Sequence, residues 1–129
     1  MTTARNSPLS MNADPAARQW MPYGRPHPQP ALRLFCFPYA GRGASGFSRW
    51  DRALPPEVEV IPVQLPGRES RIAECPFDAL PALTDALAGV LRPYLDVPYA
   101  FFGCSMGATV AFELARTLHA RGASTPAHL

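Results

Sequence analysis

The stretch that decides the fold is residues 101–108, which read FFGCSMGA. An apolar run ends here in a G-x-S-x-G sequence formed by Gly103, Ser105 and Gly107, and a segment with helical spacing follows. In a parallel sheet, a sharp turn from a strand into a helix strains the backbone of the serine at its apex and exposes the hydroxyl. The flanking glycines leave room, because a Cβ at either place would collide with neighbouring backbone. The pattern predicts that Ser105 is a nucleophile at a helix N-terminus.

Backbone N–H groups near Ser105 would stabilise a negative charge that develops there. The N–H of Met106 lies at the start of the predicted helix, where the helix dipole also favours an anion. A second donor is expected from the glycine-rich loop at residues 39–43, which follows an earlier strand. Taken alone, G-x-S-x-G is a weak pattern, and a tight glycine turn with an idle serine is the alternative reading.

Three apolar or β-branched runs alternate with three helical segments along the rest of the chain. Strands are predicted at residues 33–37, 57–65 and 99–102, and helices at residues 47–54, 78–95 and 106–121. Asp78 is expected to cap the second helix, Pro93 to distort its last turn, and Gly122 to end the third helix. Such alternation is typical of a parallel sheet with helices on its faces, which is the α/β class.

Composition narrows the function further. A chain of 129 residues with 47% hydrophobic residues supports one domain, and a net charge of +2 gives no electrostatic footprint for nucleic acid or a membrane surface. The three cysteines, Cys36, Cys75 and Cys104, are scattered without metal-ligand spacing, which fits a reducing compartment. The longest uncharged stretch, residues 97–112, is too short for a membrane span. We therefore expect a cytoplasmic protein without a metal or cofactor.

The first thirty residues differ in amino-acid composition from the rest of the chain. They hold six of the 16 prolines, so residues 1–30 are predicted to be largely disordered or extended, with Trp20 and Tyr23 as candidates for docking on the body. From residue 31 onward nine arginines balance nine acidic residues, as in a folded domain.

Three stretches resemble the type II thioesterases, the stand-alone α/β-hydrolases that accompany polyketide and nonribosomal peptide synthases. They occur in family order: LFCFPYAG at 34–41, LPGRE at 65–69, and the serine motif followed by AFELA at 111–115. The resemblance covers roughly residues 20–129. It implies hydrolysis of acyl thioesters on the phosphopantetheine arm of acyl or peptidyl carrier proteins, which clears stalled or wrongly loaded chains without a cofactor. It also implies that Ser105 is the nucleophile and that the N–H groups of Met106 and Ala40 hold the oxyanion.

Two positions depart from the family pattern. Cys104 stands where the family usually has histidine, and Arg42 stands where it usually has another glycine. Cys104 is expected to be a small buried neighbour of the serine and not a second nucleophile. Arg42 is expected to alter the backbone of its loop or the entrance for the acyl chain. Arg68 either shapes the rim of the active site or is an ordinary surface arginine.

Five large apolar residues are interpreted as core residues and not as lining of a substrate pocket: Phe47, Trp50, Phe77, Leu83 and Leu87.

The base and the acid of a serine hydrolase have no candidate in the sequence. In this fold they follow the nucleophile in the order acid, then histidine, but the 24 residues after Ser105 contain Glu113 and no aspartate. His119 lies 14 residues up the helix, about 21 Å from Ser105 at 1.5 Å per residue. His27 precedes the first strand, and His128 could barely return to the turn.

We therefore expect residues 31–129 to be the N-terminal portion of a thioesterase domain, an incomplete α/β-hydrolase fold with little turnover alone. Residues 126–129 resemble the approach to the next strand of the family. Two alternatives stay open: a non-catalytic remnant that binds carrier proteins, and another serine esterase or lipase of this fold. The sequence does not indicate an oligomeric state.

Overall fold

A parallel three-stranded sheet forms the centre of the computed structural model, which describes residues 14–24, 27 and 29–129. Strand β1 (Leu32–Phe37) lies between β2 (Val58–Pro62) and β3 (Tyr99–Gly103). Both neighbours run parallel to it, so their carboxyl ends meet at one edge of the sheet. The predicted α/β class is confirmed.

Helices cover both faces of this sheet. The α-helices are α1 (Pro15–Trp20), α2 (Trp50–Ala53), α3 (Leu80–Leu91) and α4 (Met106–Ala120), and 3-10 turns occur at Ala44–Phe47, Glu69–Arg71 and Arg92–Tyr94. Helices α3 and α4 pack against each other over the main core, whereas α2 contacts β2 on the other face. Alternation along β1 supplies both layers: Phe35 and Phe37 enter the main core, and Cys36 enters the smaller cluster with Phe47 and Val60.

Two of the predicted helices need correction. Helix α3 begins at Leu80, with Ala79 and not Asp78 at the N-cap position, because a proline in the first turn sets the helix start. Residues 92–94 leave α3 as a 3-10 turn, as Pro93 predicted. Residues 47–54 form no continuous helix, since the single turn of α2 follows the 3-10 turn and ends before Pro55. Gly122 ends α4 in the left-handed conformation, as predicted.

The segment before β1 is more ordered than its proline content suggests. Pro15–Trp20 is helical, and the side-chain Oδ1 of Asp14 accepts a hydrogen bond from the N–H of Ala16. Ala17, Trp20 and Met21 share one face of this turn and are buried in the main core. The prediction of disorder is therefore wrong for residues 15–21, and the docking of Trp20 is confirmed. Tyr23 remains 41% exposed. Residues 1–13, 25, 26 and 28 lie outside the described part of the chain.

Residues 127 and 128 pair with the side of β3 that faces away from β1. The N–H of Phe101 donates to the carbonyl of His128 at 3.1 Å, and the N–H of Ala127 donates to Tyr99 at 2.7 Å. His128 thus forms a parallel bridge with Ala100. Residues 126–129, which resemble the approach to a further strand, therefore hydrogen-bond to the outer side of β3.

None of the described helices has the length and hydropathy needed to cross a lipid bilayer.

Candidate active site

Ser105 occupies a strained turn at the carboxyl edge of the sheet. Strand β3 ends at Gly103, α4 begins at Met106, and the backbone of Ser105 has φ +56° and ψ −116°. A serine at positive φ costs of order 1–3 kcal/mol and persists where its surroundings enforce it. Its side chain is exposed at the N-terminus of α4. The predicted strained turn between strand and helix is therefore confirmed.

The two glycines of the motif permit close backbone approaches, as predicted. A Cβ built on Gly103 would lie 2.2 Å from the carbonyl oxygen of Gly107. A Cβ on Gly107 would lie 2.1 Å from the carbonyl oxygen of Phe37 and 2.8 Å from that of Pro38. The first turn of α4 therefore packs directly on the end of β1. This contact brings the loop after β1 to the serine turn.

That loop opens with a hydrogen-bonded turn around Ala40. The N–H of Arg42 donates to the carbonyl of Tyr39 at 3.1 Å, and Gly41 has φ +80°, which is the pattern of a type II turn. The N–H of Met106, the first residue of α4, has no acceptor within its own helix. In the described chain, the N–H groups of Ala40 and Met106 donate to no backbone carbonyl. Both remain available for an anion.

An apolar cleft of about 250 Å³ opens beside the serine turn. Its walls are Pro38, Tyr39, Arg42, Gly46, Phe47, Trp50, Phe102 and Cys104. The Trp50 ring stands 4.9 Å from that of Phe47 and 4.7 Å from that of Phe102, between ring centroids. These three rings form a wall suited to a hydrocarbon group.

Several residues of this cleft differ from their sequence-based predictions. Cys104 is exposed and not buried, because side chains alternate along an extended chain and position 104 shares the cleft-facing side of Phe102. Phe47 is buried as predicted, but it and the half-buried Trp50 also line the cleft. Arg42 is exposed and lines the cleft, which places a cationic side chain beside its apolar wall.

Of the other three predicted core residues, two are buried and one is exposed. Leu83 and Leu87 lie in the core, whereas Phe77 is 40% exposed.

A polar network that the sequence patterns did not predict holds the loop from its other end. Gln64 is fully buried, and its Oε1 accepts from the N–H of Ala44 at 2.8 Å. Its Nε2 donates to Glu69 Oε1 at 3.2 Å and to the Ser70 hydroxyl at 3.2 Å. The available signal was a glutamine within the apolar run at residues 60–65. A buried amide in such a run requires partners, since leaving it unpaired is costly.

Glu69 and Arg68 extend this network to the loop. Partial burial of the Glu69 carboxyl raises its pKa, but hydrogen bonds from Ser45 and Gln64 and the charge of Arg42 outweigh burial and lower it. The guanidinium of Arg68 donates to the carbonyl of Arg42 at 3.3 Å, and burial lowers the pKa of Arg68. Arg68 therefore contacts the loop that forms the edge of the cleft.

The candidate general bases lie away from Ser105. His27 lies near Glu59, toward the amino end of β2; burial raises the pKa of Glu59, and the charges of Arg33 and His27 offset part of this effect. His119 is exposed far along α4. His128 pairs with Ala100, three residues before the end of β3, about 10 Å from that end at 3.3 Å per residue. Within the described residues, no histidine or carboxylate forms a hydrogen bond with Ser105.

The described residues also contain no cluster of three or more histidine, cysteine, aspartate or glutamate side chains arranged to hold a metal ion.

Fold and serine turn together define the α/β-hydrolase class. The model of the thioesterase domain family matches residues 32–129, and the chain belongs to this family. It is 49% identical to the gramicidin S biosynthesis protein GrsT of Aneurinibacillus migulanus over 98 residues. This alignment covers 76% of the present chain and 38% of GrsT.

Solved structures agree with this assignment. The type II thioesterase BorB from the borrelidin biosynthetic cluster superposes with a TM-score of 0.75 and 38% identity, over 96% of this chain and 46% of BorB. The RedJ thioesterase from the prodiginine pathway in Streptomyces coelicolor superposes with a TM-score of 0.72 and 49% identity, over 75% of this chain and 39% of RedJ. The resemblance to type II thioesterases is confirmed, and the chain spans less than half the length of each of these relatives.

Proposed function

We propose that the full-length protein hydrolyses acyl thioesters carried on the phosphopantetheine arm of acyl or peptidyl carrier proteins, with Ser105 as the nucleophile. Residues 31–129 carry the nucleophile of this domain, and residues 1–30 precede it. The observation that supports this most is the strained Ser105 turn packed against the loop that carries Ala40. The relatives, which belong by name to biosynthetic pathways for gramicidin S, borrelidin and prodiginine, support a role in polyketide or nonribosomal peptide assembly.

The chemistry follows from the position of each group. The Ser105 hydroxyl attacks the thioester carbonyl carbon while a histidine from outside the described residues takes its proton. The N–H groups of Met106 and Ala40 donate to the oxygen that becomes negative. Collapse of this intermediate releases the pantetheine thiol, and water then frees the acid from the acyl-enzyme. The reaction as proposed requires no cofactor and takes place in the cytoplasm.

The cleft suits an acyl chain. Phe47, Trp50 and Phe102 offer an apolar wall that ends at Cys104, one residue before the nucleophile. Hydrocarbon bound there would be removed from water, and its burial would contribute about 25 cal/mol per Å² of apolar surface. Arg42 lines this cleft at a position where the family usually has glycine, so the cleft carries a positive charge there.

The test compares adjacent substitutions in the full-length protein, with an acyl thioester on a holo carrier protein as substrate. Ser105→Ala removes the nucleophile and should lower kcat/KM by about 10³-fold or more. The matched control Cys104→Ala removes the neighbouring thiol from the same cleft and should retain turnover within about tenfold, because the turn presents only the side chain of Ser105 as nucleophile. Turnover that survives Ser105→Ala but is lost in Cys104→Ala would refute the assignment.

Two further measurements separate the alternatives. A serine esterase or lipase would hydrolyse simple esters faster than carrier-bound thioesters of the same acyl chain, whereas a thioesterase shows the opposite preference. Because no base lies beside Ser105 within the described residues, residues 1–129 alone should show little turnover. Binding of a holo carrier protein by residues 1–129 without hydrolysis, together with an inactive full-length protein, would favour the non-catalytic alternative.

A further inference from the structure

We propose that Glu69 is a positioning residue that holds the loop at residues 39–46, and with it the Ala40 N–H, in place for the reaction. The inference rests on the proposed function, since the loop matters to catalysis through its oxyanion donor. Glu69 lies in the LPGRE stretch, but its side chain reaches back across the sheet edge to this loop.

Both carboxylate oxygens of Glu69 bind the far end of the loop. Oε2 accepts from the Ser45 hydroxyl at 2.6 Å, and Oε1 accepts from the Ser45 N–H at 3.2 Å. Gly43 packs directly on the same carboxylate, because a Cβ there would lie 2.2 Å from Glu69 Cδ. The exposed carboxylate therefore contacts the loop at both Gly43 and Ser45.

The near end of the loop is held by a different contact. Gly107 at the start of α4 packs on the carbonyl groups of Phe37 and Pro38. Ala40 lies between these two attachments, in the turn closed by the hydrogen bond from Arg42 to Tyr39. The direction of the Ala40 N–H therefore depends on both attachments, and Glu69 provides the one that is distant from the serine.

The position of Glu69 is fixed by contacts with buried residues. Gln64 donates to its carboxylate, and the backbone of Gln64 is tied to Trp20, whose carbonyl accepts from Gln64 N–H at 2.7 Å. Arg71 donates to the Gln64 carbonyl at 3.1 Å and stacks 4.1 Å above the Trp20 ring. Glu69 has φ +47°, and such strain in a non-glycine residue persists where the surroundings over-determine it.

The charge of Glu69 strengthens this attachment. Hydrogen bonds to an ionised carboxylate are shorter and about twice as strong as neutral ones. Ser45, Gln64 and Arg42 together lower the pKa of Glu69, so the carboxylate stays ionised at neutral pH. Glutamine at this position has the same shape but no charge. Its Oε1 can still accept from the N–H groups of Ser45 and Gln64, and its NH₂ can donate to the Ser45 hydroxyl oxygen, so the substitution removes only the charge assistance.

The first experiment measures amide hydrogen exchange at Ser45 in Glu69→Gln. Glu69 is exposed, so the variant should fold, and exchange at Ser45 should accelerate about tenfold as a neutral hydrogen bond replaces the charge-assisted one. Glu113→Gln is the matched control, because that carboxylate pairs with Arg116 on the surface of α4 and leaves the loop untouched. Unchanged exchange at Ser45 in Glu69→Gln would overturn the proposal.

The second experiment separates positioning from mere stabilisation in the full-length protein. Loss of an oxyanion donor acts in the transition state, so Glu69→Gln should lower kcat about tenfold and leave KM within about twofold. A wild-type kcat in Glu69→Gln, while Ser105→Ala is inactive, would overturn the positioning role and leave the proposed function intact. Full turnover in Ser105→Ala would overturn the proposed function itself.

A third comparison uses the contact between Gly43 and Glu69. Gly43→Ala would displace the carboxylate and should therefore accelerate exchange at Ser45 in the same way as Glu69→Gln. In a Glu69→Ala background the clash is absent, so Gly43→Ala should add little. Fully additive effects of the two substitutions would show that the contact is not the cause.

Discussion

Replacing Gly107 by alanine tests whether the serine turn depends on the packing of α4 against β1. The new Cβ would lie 2.1 Å from the carbonyl oxygen of Phe37, which is 1.3 Å less than the 3.4 Å at which ordinary contact begins. The opposing atoms are backbone, so no side-chain rotation can relieve the clash. Overpacking of this kind costs about 1–3 kcal/mol, and we expect Gly107→Ala to fall at the upper end. A displacement of about 1 Å at the reacting groups can also reduce catalysis about 100-fold.

Gly89→Ala is the matched control for this substitution. Gly89 lies within α3, and outside its chain neighbours and the nearby helix backbone no atom lies within 4 Å of an added Cβ, so alanine should stabilise the protein by about 0.5–1 kcal/mol. Equilibrium urea unfolding, followed by tryptophan fluorescence, gives the free energy of unfolding of both variants. A Gly107→Ala variant with the stability and the kcat of the wild type would refute the argument that close backbone approach holds the turn.

Two further predictions concern buried groups. Arg33 is buried and contacts Glu59 at 3.1 Å, so Arg33→Met should lower the free energy of unfolding by about 3–5 kcal/mol. The control Arg116→Met removes an exposed ion pair and should change this free energy by at most about 0.5 kcal/mol. Equal effects of the two substitutions in urea unfolding would contradict the prediction. Burial raises the pKa of the Cys36 thiol to about 12. A thiol reagent at pH 8 should therefore modify the two exposed cysteines in the native protein and Cys36 only after unfolding. Rapid modification of Cys36 in the native protein would contradict this prediction and show that the sheet opens readily.

Features encoded over a few residues were predictable from the sequence. The alternation of apolar runs with helical spacing indicated the parallel sheet, since each period is a local property of the chain. The serine turn was equally local, because Gly103 and Gly107 permit an approach that any larger residue would prevent. Composition, in contrast, misled at residues 15–21, where three buried residues on one face of a helical turn outweigh the surrounding prolines.

Contacts between distant segments were decided by the tertiary structure alone. Glu69 meets Ser45 across 24 positions of sequence, and Trp20 meets Gln64 across 44. No local pattern encodes such pairs, because the sheet must first bring the loops after β1 and β2 to one edge. The same assembly turned Trp50 and Cys104 toward a shared cleft. The sequence by itself thus determined the strained serine and the fold class, through short-range sterics and periodicity. What surrounds the serine was decided by packing, because hydrogen bonds and apolar burial join groups that only folding brings together.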